Sequence, residues 1–157
     1  MTSAGAPVLD SKIEDGIALG GLAELLGFHI RMAHLAMFRD FTEALAGLDL
    51  TQKQCATLQL IGANPRVSQA EIATALDMDR ATMMAIIDRL ENRGLVTRVR
   101  SAEDRRRQEL HLTASGQSAL SGAMTAIAAH EAHFKSRFTP AELDALLNAL
   151  QRIHSQD

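Results

Sequence analysis

The sequence contains no Trp and no Tyr, and only five Phe in 157 residues. Leu, Ala, Ile and Met must therefore build the interior, a mixture that favours helices. A single cysteine, Cys55, excludes an internal disulfide framework. Long apolar runs are missing as well: His, Arg or Glu breaks each one well short of the ~20 residues that a membrane span needs. Residues 1–10 hold no basic stretch followed by an apolar one, so no secretory leader is expected. Neither an internal repeat nor a low-complexity segment is present. No Ser-His-Asp or Cys-His arrangement, phosphate-cradling Gly loop or closed set of metal ligands stands out, so neither an enzyme nor a cofactor is expected. These absences point to one soluble, cytoplasmic domain of ordinary size, with no membrane partner.

Apolar residues make up 46% of the chain, enough for a core, and charged residues 22%. The net charge of −3 argues weakly against a polyanionic partner, but its distribution argues the other way. Seven of the 16 basic residues fall between Arg89 and Arg107, against three acids, so this window is +4 and the remainder −7. All seven are Arg, the side chain whose planar fork suits phosphates and guanine edges. A solvated charged face is the alternative reading of such a run.

Start and stop signals punctuate the chain. Residues 1–15 are polar and uncapped and are expected to be loose. From about Gly20 to Ala46 apolar residues recur at helical spacing, which predicts one long helix. Thr51-Gln52-Lys53-Gln54 has the form of a capping box, opening a helix that stops near Gly62–Pro65. Ser68-Gln69-Ala70-Glu71 opens a second, short helix to about Leu76. Asp79 caps a third, in which Met83, Ile86, Ile87 and Leu90 form one apolar stripe and after which Gly94 supplies a left-handed C-terminal residue. The period then changes from 3.6 to 2. Val96–Arg100 and Glu109–Leu112 alternate around a charged turn, Ser101–Arg107, and read as a β-hairpin. Thr113 begins another long helix, and Thr139-Pro140-Ala141-Glu142 caps a final one with Pro at its first position.

Two short helices joined by a tight turn and followed by a hairpin form the winged helix-turn-helix plan. The fold class is thus mainly α (α+β), with long N- and C-terminal helices at 20–47 and 113–155 flanking a winged unit at 51–112, its wing at 96–112. The N-terminal end of a helix in the major groove of double-stranded DNA points side chains at base edges. With its apolar stripe inward, helix 79–93 leaves Arg80, Thr82, Met84, Ala85 and Arg89 toward the outside. Arg80 is placed to donate to guanine, and Met84 and Ala85 to touch thymine methyls. Met84 as a partly buried gap-filler and Arg89 in an ion pair along its own helix are the competing readings. Ser68 and Gln69 open the preceding helix and are added to the expected DNA contacts. The hairpin carries Arg105, Arg106 and Arg107 at its tip, where a basic loop reaches the minor groove. Asp104 beside them makes sense as a brace: paired with Arg106 it would fix the loop and lower the ordering cost of binding.

The stretch Ser68–Val96 with the wing Thr97–Gly116 resembles the MarR (multiple antibiotic resistance regulator) family of transcriptional regulators. The resemblance rests on Asp88-Arg89-Leu90-Glu91 with Gly94-Leu95-Val96, on Asp104-x-Arg106, and on Leu112-Thr113 with Gly116, and it spans about residues 20–155. It implies an obligate homodimer built by the flanking helices, whose reading helices enter successive major grooves of a pseudo-palindromic operator. It maps the family's wing arginine onto Arg106 and its bracing acid onto Asp104. Met84-Ala85 departs from the polar residue and Arg that members often carry there, so base preference does not transfer.

The resemblance also implies a small-molecule pocket where the dimerisation helices meet the DNA-binding lobe, taking phenolic or aromatic acids and, in one branch, aromatic acyl-CoA thioesters. Phe28–His34 is an apolar helix interrupted by His29, Arg31 and His34, cationic groups suited to a carboxylate or phosphate. Cys55 and Gln59 are assigned to the other side of the pocket. The alternative is that these residues cap polar groups at the dimer interface or face water. The leading expectation is a repressor released by a small aromatic effector. Two others stand beside it. One is a winged-helix protein-interaction module without DNA binding, favoured by the −7 outside the wing and by Met84-Ala85. The other is a redox- or metal-sensing regulator using Cys55 or the histidines. Against the latter, Cys55 reads as a core thiol, and His130 and His133 as members of a solvated helix face.

Overall fold

The computed structural model describes residues 17–155, which form two compact units, 17–39 and 40–155. The expectation of a loose segment over residues 1–15 lies outside the described residues. In the first unit the anticipated helix from Gly20 is interrupted. A 3₁₀ turn covers Gly20–Glu24, Leu25 is extended (φ −85°, ψ 119°), and only then does helix α1, Leu26–Leu45, begin. Gly20-Gly21 carries the largest conformational entropy cost of helix formation, and Gly20 adopts φ +54°, which the helical register does not allow. Apolar spacing alone therefore overestimated this helix. Leu22, Leu25 and Leu26 are all half-exposed or more, and Ile30, Met32 and Met37 are exposed along α1.

The second unit holds the last turn of α1 and the winged domain. Helices α2 (Gln52–Ala63), α3 (Gln69–Ala75) and α4 (Arg80–Asn92) start at the anticipated caps. Thr51 and Ser68 each accept the N–H three residues on, while Gln54 and Glu71 reach back to the cap's own N–H. Asp79 accepts the Thr82 N–H at 2.8 Å. α4 ends in a Schellman turn: Leu95 N–H reaches Leu90 C=O at 2.9 Å and Gly94 N–H reaches Glu91 C=O at 2.8 Å, with Gly94 at φ +69°. Strands β1 (Val96–Arg100) and β2 (Gln108–Leu112) pair antiparallel, with Val96 opposite Leu112 and Arg100 opposite Gln108. The α2–α3 loop docks on the outer edge of β2, where Leu110 N–H donates to Val67 C=O at 2.8 Å.

Met83, Ile87 and Leu90 of α4 pack with Leu58, Ile72, Leu110 and Ala123 into one fully buried core. At ~1.5–3 kcal/mol for each large apolar side chain, this stripe is what fixes the rotation of α4 about its axis. Helix α5, Ala114–Lys135, starts where Thr113 accepts the Gly116 N–H and donates its hydroxyl to Gly94 C=O. Further along α5, His130 is buried, correcting its assignment to a solvated face; His133 is exposed. Two edge-on rings, Phe41 at 5.3 Å and Phe134 at 5.2 Å, flank His130, and its Nδ1 bonds Asp40. Helix α6, Pro140–His154, has the Thr139–Glu142 capping box and no buried residue; Leu146, Leu147, Leu150 and Ile153 all lie exposed along it. Among the described residues no helix is long and apolar enough to cross a membrane.

Candidate nucleic-acid interface

Because its stripe is committed to the core, α4 presents Arg80, Met84, Ala85 and Arg89 to solvent. Met84 is 51% exposed, so about half of its surface stands open on this face. Arg80 and Arg89 make no ion pair among the described residues, so the reading of Arg89 as paired within its helix is not what the fold adopts. Arg89 instead borders a groove of about 580 Å³ with Asn92, Arg93 and Asp49. Thr82 is different. It is half-buried and its hydroxyl donates to Asp79 at 2.6 Å, so the side chain completes the cap. That hydroxyl, followed by the Thr82 N–H, holds the Asp79 carboxyl below its usual range.

A second groove, of about 490 Å³, runs between the first turn of α3 and the hairpin. Ser68, Gln69 and Ala70 line one wall, and Arg100, Arg105, Arg106, Arg107 and Gln108 the other. The expected contacts of α3 and the wing thus face each other across one basic cleft. Ser68 serves as the α3 cap, its N–H and hydroxyl both donating to Glu71, and this lowers the Glu71 pKa with smaller help from Arg107.

Within the tip, Asp104 accepts the backbone N–H of Arg106 at 2.9 Å, and its C=O accepts the Arg107 N–H at 2.9 Å. The brace exists, but it acts on the backbone; the expected pairing with the Arg106 guanidinium is not formed. That leaves the guanidinium of Arg106 unpaired among the described residues, as are those of Arg100 and Arg105. Arg107 is the exception among the tip residues. It donates to Glu71 at 2.8 Å and to the Arg66 C=O at 3.2 Å, so it ties the wing to α3.

Two arginines that composition alone did not single out hold the hairpin in place. Arg98 of β1, only 19% exposed in its side chain, is gripped by Asp88 and Glu91 of α4. Acids three residues apart on one helix face, opposite a strand arginine, were the available signal. Arg66, in the α2–α3 loop, donates to Glu103 at 3.0 Å and to Glu109 at 3.1 Å. Glu109 is buried although the strand pattern marked it as an outward residue. Ser101 first, and then Arg66, satisfies its carboxylate and lowers its pKa. Nothing in the sequence marks Arg66, because its role depends on a left-handed backbone, φ +67°.

The residues assigned to an effector pocket fall in both units. His29, Arg31 and His34 are exposed on α1, with His29 Nε2 at 2.7 Å from Ala23 C=O. Gln59 is exposed on α2, whereas Cys55 is 2% exposed. Cys55 is a core thiol, its pKa pushed up by burial, and it lines no open surface in the second unit. Among the described residues no three His, Cys, Asp or Glu side chains gather as a metal site requires.

A reading helix with a bare outer face, set beside a hairpin tipped with unpaired arginines, defines the winged helix-turn-helix class of DNA-reading domains. Comparisons with known proteins narrow the class. Residues 47–107 match the MarR family profile. The chain is 36% identical over 139 residues to a putative transcriptional regulatory protein for the hcr operon of Thauera aromatica, covering 88% of this chain and 84% of that one. Among solved structures it resembles the transcriptional repressor CouR bound to a 23-mer DNA duplex, with 39% identity and a TM-score of 0.84 over 88% of this chain and 99% of that chain. It also resembles CouR bound to p-coumaroyl-CoA, with 37% identity and a TM-score of 0.82 over 90% and 99% of the respective chains. The chain belongs to the MarR family of transcriptional regulators.

Proposed function

We propose that this chain is a repressor which binds a pseudo-palindromic operator as a homodimer and is released by a small aromatic effector, foremost an aromatic acyl-CoA thioester. The observation that carries the DNA-binding half is the open outer face of α4, with Arg80, Met84 and Ala85, beside unpaired Arg100, Arg105 and Arg106. Apolar side chains exposed along 17–39 and along α6 support the dimer, since bare apolar stripes of that size are otherwise a liability. The effector class is supported by the likeness to CouR, whose ligand is p-coumaroyl-CoA. Arg31 and His34, one turn apart and exposed on α1, offer a guanidinium and an imidazole hydrogen-bond donor to its anionic part.

The test is a fluorescence-anisotropy titration on the region upstream of the chain's own gene, repeated with aromatic acids, aromatic acyl-CoA thioesters and free CoA. Two half-sites about one helical turn, ~10 bp, apart are expected, with release by the thioester. Binding that is absent at low salt, or insensitive to salt, would favour a protein-interaction module instead. Release by the free acid alone would move the effector to the aromatic-acid class.

A further inference from the structure

The wing is held over a hollow. A cavity of about 730 Å³ lies between the α2–α3 loop and the hairpin, lined by Leu60, Pro65 and Ile72 on one side and by Ser101, Glu103 and Glu109 on the other. Residues 102–107 are all exposed, so apolar packing does not position the tip. Polar contacts do, and two ion pairs and a hydrogen bond converge on one residue. The Arg66 guanidinium spans Glu103 in the tip and Glu109 in β2, while its C=O accepts Arg107. Its neighbour Val67 bonds β2 through the backbone. Arg66 does this at φ +67°, a conformation that disfavours every residue bearing a Cβ and that glycine takes freely. The side chain at this strained position is the part of Arg66 that bridges the tip and β2.

We propose that Arg66 is the positioning residue of the wing: its fork fastens the hairpin to the α2–α3 loop so that Arg105 and Arg106 meet DNA already ordered. The proposal rests on the DNA-binding reading above. Arg66 itself is not a phosphate contact in this scheme: its Nε is taken by Glu109 and its Nη1 by Glu103.

Two variants of the full-length chain separate these roles. Arg66→Gly removes the fork and relieves the left-handed strain, so the melting temperature is expected to hold. Glu109→Gln keeps the hydrogen bonding to Ser101 but removes the charge that Arg66 grips. In the free protein, hydrogen exchange at the Ser101 and Arg107 amides, which close the tip turn, is expected to rise about tenfold in both variants while the α5 amides stay unchanged. Binding to the upstream duplex is expected to weaken about tenfold in both, the order of cost for ordering a loop on binding. For Glu109→Gln this runs against simple electrostatics, because losing a negative charge beside DNA should tighten binding. Tighter binding by Glu109→Gln would overturn the proposal and make Arg66 a phosphate contact. Unchanged exchange at the tip would overturn it as well. Should the wild-type chain bind no duplex at low salt, the DNA-binding reading fails by itself, and the exchange measurement alone then decides whether Arg66 positions the hairpin.

Discussion

Arg105, Arg106 and Arg107 are consecutive and chemically identical, yet only Arg107 is tied down, because only its side chain reaches Glu71 and the Arg66 carbonyl. The difference predicts different consequences of truncation. Arg106→Ala should weaken binding to operator and scrambled duplex alike by about tenfold and lower the salt slope by about one, since a phosphate or minor-groove contact carries little base information. An unchanged affinity in the anisotropy titration would remove Arg106 from the interface. Gly116 makes a sharper case at the same scale. A Cβ there would lie 1.9 Å from the Leu95 carbonyl oxygen, which is backbone and cannot swing aside. Gly116→Ala should therefore cost about 1–3 kcal/mol, the range for overpacking, read as a lower urea midpoint. This close approach gives the Leu112-Thr113 and Gly116 pattern a physical meaning: Thr113 and Gly116 together seat α5 on the turn after α4.

Among the elements, three helices begin with the same device and differ in one atom type. The box at α2 closes with Gln54, which does not titrate, whereas those at α3 and α6 close with Glu71 and Glu142. The Thr139 N–H, then its hydroxyl, lowers the Glu142 pKa, and Ser68 does the same for Glu71. A carboxylate with a depressed folded-state pKa stabilises the fold fully above its unfolded value, and this contribution disappears as pH falls through the folded value. Acidification below the ordinary carboxylate range, about pH 4, should thus fray the first turns of α3 and α6 and spare that of α2. Amide exchange at the three N-termini, compared at pH 6 and pH 3, checks the order. Equal loss at α2 would show that general acid unfolding, and not the caps, governs it. The hairpin belongs to this scale too. It is fastened to α4 through Arg98, to α3 through Arg107 and to the α2–α3 loop through Arg66, so ion pairs tie the wing to the reading helix and to both elements before it.

For the whole molecule, the governing fact is apolar surface left over. α6 buries none of its residues, and the exposed leucines of α6 and of 17–39 exceed what scattered surface residues explain. A mass of twice the 17.0 kDa chain is the expected result of light scattering. Replacing Leu147 and Leu150 by Glu should yield the single-chain mass with its α-helical spectrum largely kept. It should also reduce operator affinity by several orders of magnitude, because two linked half-sites become one. A double variant that still scattered as a pair would place the dimer contact elsewhere.

Local chemistry in the sequence determined most of the elements. Caps at Thr51, Ser68, Asp79, Thr113 and Thr139, the left-handed Gly94 and the change of period after it set helix starts and strand positions, since each depends on residues within one turn of itself. The α4 stripe likewise settled which face would be free to meet DNA. Tertiary structure decided what depends on distant partners. It buried Glu109 and His130 because Ser101, Arg66 and Asp40 stood ready to satisfy them. It also moved Asp104 from a side-chain pair to a backbone brace. Charge can be counted along a chain, but whether a given arginine is spent on the protein or left for a ligand depends on which carboxylates the fold carries to it, and those lie up to 44 residues away in sequence.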